Sequence, residues 1–208
     1  NNVENRWNYA SRPWEIYMAQ RGYISSWWTT VVRNIAASNL KAAPTATLAT
    51  SKCKTDGGVK FLKSLPYVDA NRLGVHGWSF GGFMTTNLMC SYPDVFKVGV
   101  AGGPVIDWKF YEVMYGERYM DTPQENPEAM KAQLLNKAKN LKGRLQIIVG
   151  YNDPTCVLQH SLSFLRKCED AGTQPDYFVY PGDGHNMMGH DMVHLHERIT
   201  RYFDDHLK

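Results

Sequence analysis

No run of eighteen apolar residues occurs in the 208-residue chain, so no segment has the length and character of a membrane-crossing helix. Cysteine is scarce. Cys53, Cys90, Cys156 and Cys168 form neither a C-x-x-C pair nor a dense framework, which excludes a disulfide scaffold and predicts buried or free thiols. The start, Asn1-Asn2-Val3, has no initiator methionine and no basic-then-apolar leader, and reads as a chain cut from something longer. Acidic residues and glycine are both missing from 24 to 55, a tract that holds Arg33, Lys41, Lys52 and Lys54. Those four cations account for the net charge of +3, and no basic, aromatic-interleaved patch remains for nucleic acid. There is no internal repeat.

What is present is the composition of a globular chain with one core, 43% hydrophobic and 12% aromatic. Ser11 is placed to cap a helix through Pro13–Ala19 with Gly22 as its stop, and a strand is expected to begin at Tyr23-Ile24. From Gly58 onward strands and helices alternate: a helix at Val59–Leu65 ended by Pro66, a strand from Leu73, a helix from Gly82 to about Ser91, and a strand at Phe96–Ala101. An aromatic-rich region from Trp108 to Tyr119 follows, then a polar helix from about Pro127 to Ala138. A strand at Leu145–Val149, a helix at Gln159–Ala171, a strand at Asp176–Tyr180 and an amphipathic helix from Asp191 to Leu207 complete the chain. Such alternation implies an α/β fold, a parallel sheet with helices on both faces.

The chain is organised around Leu73-Gly-Val-His-Gly-Trp-Ser-Phe-Gly-Gly-Phe83. Gly77-x-Ser79-x-Gly81 fits a nucleophile elbow, a sharp strand-to-helix turn that lifts a serine hydroxyl above the sheet. Taken alone, the pattern also fits an ordinary glycine-rich turn. A serine needs an imidazole to take its proton, and the imidazole needs a carboxylate to hold its tautomer. Asp153 and His185 each follow a predicted strand, which puts them at the same sheet edge as Ser79, although an aspartate before Pro154 also suits a plain turn. Of the seven histidines, His160, His194, His196 and His206 lie on predicted helices, where solvated or capping roles are expected. His76 sits in or across the elbow strand. His190 and His194 have the spacing of a helical metal pair but no evident third ligand, so no metal is expected. His185 is left as the base.

Taken together, Gly77-Trp-Ser-Phe-Gly-Gly82, Val100-Ala-Gly-Gly-Pro-Val105, Tyr115-Gly-Glu-Arg-Tyr-Met120 and Gly184-His185-Asn186 resemble the catalytic domain of prolyl oligopeptidase-family serine peptidases, in the bacterial dipeptidyl peptidase IV branch. The resemblance covers residues 1–23 and 57–208. It implies an α/β-hydrolase sheet truncated at its N-terminal side and lacking the family's β-propeller, so that residues 1–208 are the C-terminal part of a peptidase domain. It implies release of dipeptides with Pro or Ala second from a free N-terminus, with Ser79, Asp153 and His185 as the triad. The backbone amide of Phe80 would be an oxyanion donor. Val105, Trp108, Tyr111, Tyr115, Arg118, Thr155, Cys156 and Val157 would meet the substrate, and a flat proline ring suits an aromatic slot. It implies peptide substrates, no cofactor, homodimeric full-length relatives, and a periplasmic, cell-surface or secreted location.

Two departures stand out. Many relatives carry His-Gly-x-x-Asp and then Asn, where this chain has Val149-Gly-Tyr-Asn-Asp153 and Pro154-Thr155. The family's second oxyanion donor is a tyrosine on a strand expected before Asn1. Residues 24–55 match the family in no respect as written. Shifted by one base, Trp27-Trp28-Thr29 becomes Val-Asp, 29–33 permits Asn-Arg-Gly-Ser, and 51–55 permits Glu-Met-Gln-Asp, which are the family's words. The tract is therefore expected to be frameshifted and loosely packed. Another α/β-hydrolase, such as an esterase or acylaminoacyl peptidase, and a catalytically inactive fragment are the alternatives.

Overall fold

Near-continuous apolar runs in the central strands give the sheet two apolar faces, and the structure, a computed structural model, covers both with helices. It describes residues 13–26, 52–120, 122, 124–125 and 134–208. Strands β1 (Leu73–Trp78), β2 (Phe96–Gly102), β3 (Arg144–Gly150) and β4 (Asp176–Tyr180) lie in that order, all parallel. Parallel neighbours cannot be joined by tight turns, so each connection crosses over the sheet. The connections include α3 (Phe80–Ser91) after β1, α4 (Val113–Met120) and a 3-10 segment (Leu134–Asn140) after β2, and α5 (Leu158–Ala171) after β3. Before the sheet come α1 (Pro13–Gln20) and α2 (Lys52–Ser64), and after it α6 (Gly189–Leu207).

The register decides which side chains meet which helix. Ala101, Leu145, Ile147 and Val149 join Phe83, Met84 and Met89 of α3 and Phe164 of α5 in one core. Val98, Val100, Ile148 and Tyr180 point the other way, onto Met18 of α1 and Leu195, Ile199 and Phe203 of α6. Residues such as Val98, Val100, Ile147 and Ile148 are fully enclosed, and burying each such side chain stabilises by about 1.5–3 kcal/mol.

The parallel sheet with helices on both faces is the expected architecture. Gly22 ends α1 at φ +87°, a left-handed conformation that glycine adopts without strain. Three local expectations are corrected. Residues 23–26 form no strand; Tyr23 is held instead by its hydroxyl, which donates to Asp204 at 2.8 Å. The elbow helix starts at Phe80 rather than Gly82, directly after the turn. At the end of the expected polar helix, Leu134–Asn140 is a 3-10 segment. Of the tract 24–55, residues 27–51 lie outside the described residues, as do Ser11 and most of 121–133. Among the described residues no helix is long and apolar enough to cross a membrane.

Candidate active site

The tips of β1, β2, β3 and β4 meet at one rim, and the site grows from the turn after β1. Ser79 has φ 60° and ψ −115° and is the one non-glycine residue at positive φ among the described residues. An L-residue held there stores about 1–3 kcal/mol of strain. Its amide donates to the Gly102 carbonyl at 2.8 Å, and its carbonyl accepts from Phe83 at 3.0 Å. Both ends of the residue are thus fixed while its side chain makes no helix-capping bond. Gly77 permits the approach, since a methyl group there would stand 2.4 Å from the Gly81 carbonyl oxygen. Phe80 opens a helix of 12 residues, where first-turn amides have no intrahelical acceptor and favour negative charge.

Asp153 and His185 are brought together. Asp153, on the turn after β3, is 5% exposed. One of its carboxylate oxygens, Oδ1, accepts from the amides of Thr155 and Cys156, both at 2.8 Å. The other, Oδ2, lies 2.7 Å from Nδ1 of His185. With both oxygens engaged, the carboxylate is fixed and can hold the imidazole with its proton on Nδ1, leaving Nε2 free to accept. The backbone sets the His185 loop: Tyr151 donates to the Tyr180 carbonyl at 2.8 Å and Asn152 to the Asp183 carbonyl at 2.9 Å. The Trp78 indole adds a bond to the His185 carbonyl at 2.8 Å, tying that loop to the residue before Ser79. Beside Ser79, Gly103 leaves room for the ring, because a methyl group there would come within 3.3 Å of His185 Cε1.

Cys156 completes the cluster. Its side chain is 1% exposed and lies close to the Ser79 hydroxyl. Burial, reinforced by the Asp153 charge, pushes this thiol up to about 12, so it stays protonated. Asp153, Cys156 and His185 offer oxygen, sulfur and nitrogen within 4.8 Å of one another. A soft cation could use that donor set only by displacing the Cys156 proton.

Next to the cluster, three predicted pocket aromatics converge. Trp108 and Tyr115 stack with centroids 5.9 Å apart and planes 4° from parallel. Tyr111 stands edge-on to both, at 5.7 Å and 5.4 Å. Phe83 of α3 backs Trp108 at 5.5 Å. Asp107 starts this segment by accepting from the Lys109 amide at 3.0 Å, which caps the turn Trp108–Phe110. Val105 is buried at 1% exposure, in the core cluster against which Trp108 and Tyr111 pack. Val157 is half-buried, while Thr155 and Arg118 are exposed.

The remaining histidines divide differently from the expectation. His76 bonds the Val100 carbonyl at 2.8 Å through Nδ1, His194 pairs with the Tyr180 hydroxyl at 2.7 Å, and His190 is 92% exposed beside Asp191. His160 is neither solvated nor a helix cap: it has no exposed surface and takes backbone N–H bonds from Ile106 and Asp107. Its spacing of four from Phe164 and eight from Cys168, both buried, was the available signal that it faces inward.

Comparison with known proteins follows the same lines. The sequence profile of the prolyl oligopeptidase family matches residues 57–208. A solved structure from Bacteroides ovatus, provisionally assigned as a dipeptidyl aminopeptidase IV, superposes with a TM-score of 0.87 at 52% identity, covering 100% of this chain and 30% of that one. Porphyromonas gingivalis dipeptidyl peptidase 4 superposes at 0.72 with 34% identity, over 77% and 23% of the two chains. A provisionally assigned dipeptidyl aminopeptidase of Schizosaccharomyces pombe is 35% identical over 153 residues, 71% of this chain and 19% of the relative. The chain thus spans less than a third of these solved structures and less than a fifth of that relative.

Proposed function

The chain belongs to the prolyl oligopeptidase family, and from that membership we propose that it supplies the reacting groups of a serine dipeptidyl peptidase. The observation that carries this reading is the bond between Asp153 and His185 at 2.7 Å, beside a serine held at φ 60°. Ser79 Oγ attacks the carbonyl carbon of the second residue of the substrate and passes its proton to Nε2 of His185. Asp153 stabilises the imidazolium that forms. The negative charge on the former carbonyl oxygen is met by the Phe80 amide, a fixed donor of the kind worth about 10²- to 10³-fold in turnover. His185 then gives its proton to the leaving amine, which breaks the peptide bond and leaves the dipeptide esterified to Ser79. Water, deprotonated by His185, hydrolyses that ester. Trp108, Tyr111 and Tyr115 supply flat apolar walls for a Pro or Ala side chain, which supports selectivity for those residues at the second position.

A fluorophosphonate probe tests the nucleophile and paired reporters test the substrate class. Labelling at Ser79 that is lost in Ser79→Ala, with release from a Gly-Pro amide reporter, is the expected result. Absence of labelling would make this an inactive fragment, and cleavage of a simple ester without the Gly-Pro amide would make it an esterase.

A further inference from the structure

The segment that bears the aromatic slot is pinned from behind by one imidazole. Nδ1 of His160, on α5, accepts the amide protons of Ile106 at 3.1 Å and Asp107 at 3.2 Å. An imidazole nitrogen accepts only when it has no proton of its own, so the ring is neutral and its proton is on Nε2. Nε2 is buried. The ring has no exposed surface, and the rings of Phe110 and Tyr111 pack against it with centroids at 5.7 Å and 6.5 Å. Burial lowers its pKa from the usual 6.5, while the charges of Asp107 and Asp153 and the backbone of Phe110 act in the opposite direction. Among the described residues, neither amide has another acceptor. Asp107 in turn caps the turn from which Trp108 and Tyr111 project.

We propose that His160 is a positioning residue for the slot: as a neutral acceptor it fixes the backbone at Ile106 and Asp107, and through it the placement of Trp108 and Tyr111 against Tyr115. This rests on reading those three rings as the wall that meets the substrate's second residue. A buried amide deprived of its acceptor must move to find another partner or remain unpaired. Removing the acceptor therefore shifts the rings, although none of them is touched by the substitution.

The test compares His160→Gln, whose side-chain oxygen can accept both protons, with His160→Leu, which cannot. Each is reacted with an aminoacyl-proline diphenyl phosphonate, a dipeptide analogue with proline second that must use the slot to reach Ser79, and with a small alkyl fluorophosphonate, which needs only the elbow. The ratio of the two labelling rates isolates the slot from the triad. His160→Leu should lower that ratio about tenfold and His160→Gln less than about threefold. In the wild type the ratio should fall as pH drops below 6.5, and in His160→Gln it should not. An unchanged ratio in His160→Leu, or an equal loss in both variants, overturns the proposal. Amide hydrogen exchange over residues 105–111 reads the same point without chemistry: uptake should rise in His160→Leu and not in His160→Gln. No rise in His160→Leu overturns the proposal even if neither probe labels the wild type, a result that would sink the peptidase reading separately.

Discussion

Asp153 Oδ2 and His185 Nδ1 stand 2.7 Å apart across a separation of 32 residues, one on the turn after β3 and the other on the loop after β4. Because Oδ1 is already committed to the amides of Thr155 and Cys156, the carboxylate cannot rotate away. An amide in its place would keep the acceptor for those two bonds yet present either an NH₂ group or the wrong tautomer to the ring. Asp153→Asn is expected to slow fluorophosphonate labelling of Ser79 by about 10³- to 10⁴-fold with little change in folding. A loss of less than about tenfold would show that this pair does not activate the serine.

Strain at the elbow gives a stability test. Ser79→Gly removes the side chain that makes φ 60° costly, so unfolding free energy should rise by about 1 kcal/mol while all labelling disappears. Urea melts of the two proteins would decide it; a less stable glycine variant would mean that the serine side chain supports the turn.

Two glycines of one motif should behave differently. A methyl at Gly77 meets the Gly81 carbonyl oxygen at 2.4 Å, whereas a methyl at Gly81 meets nothing within 4 Å. Gly77→Ala is expected to destabilise by about 1–3 kcal/mol through the forced backbone shift. Gly81→Ala, on a helix, is expected to be neutral or to stabilise by about 0.5–1 kcal/mol. Equal effects in thermal melts would contradict the packing of the strand on the helix.

Asp204 on α6 collects bonds from the segment after α1 and from the end of its own helix: it pairs with Arg21, accepts from the Tyr23 hydroxyl at 2.8 Å, and meets Lys208 at 2.8 Å. Burial alone would raise its pKa, but the bonds from Lys208, Tyr23 and Arg21 outweigh it and hold the carboxyl down to about 2. A carboxyl with a depressed folded pKa stabilises above its unfolded value and loses that contribution as pH falls toward the folded one. Asp204→Asn should therefore cost about 1 kcal/mol at neutral pH. The gap to wild type should close between pH 3.8 and about 2. A pH-independent difference in urea melts would rule out the ionised network as its source.

Much of this was legible in the chain. The strand Asp176–Tyr180 has its expected bounds and the last helix starts two residues before them, because alternation and an amphipathic stripe are local signals. Tyr23-Ile24 has the composition of a strand, yet a strand exists only by pairing, and Tyr23 is held by a side-chain bond to α6 instead. His160 was judged by the usual habits of a helical histidine, when what governs it is a pair of amides more than 50 residues away.

By itself the sequence determined the alternation of strands and helices, the elbow at Ser79 and the order of serine, aspartate and histidine, since backbone preference and apolar periodicity act over a few residues at a time. Tertiary structure alone decided that Asp153 reaches His185, that Cys156 is buried beside Asp153 and that His160 turns inward onto the amides of Ile106 and Asp107. The first and last of those relations are distances between elements far apart in the chain, and only the packing of helices on both faces of a parallel sheet brings the elements near enough for hydrogen bonds to form.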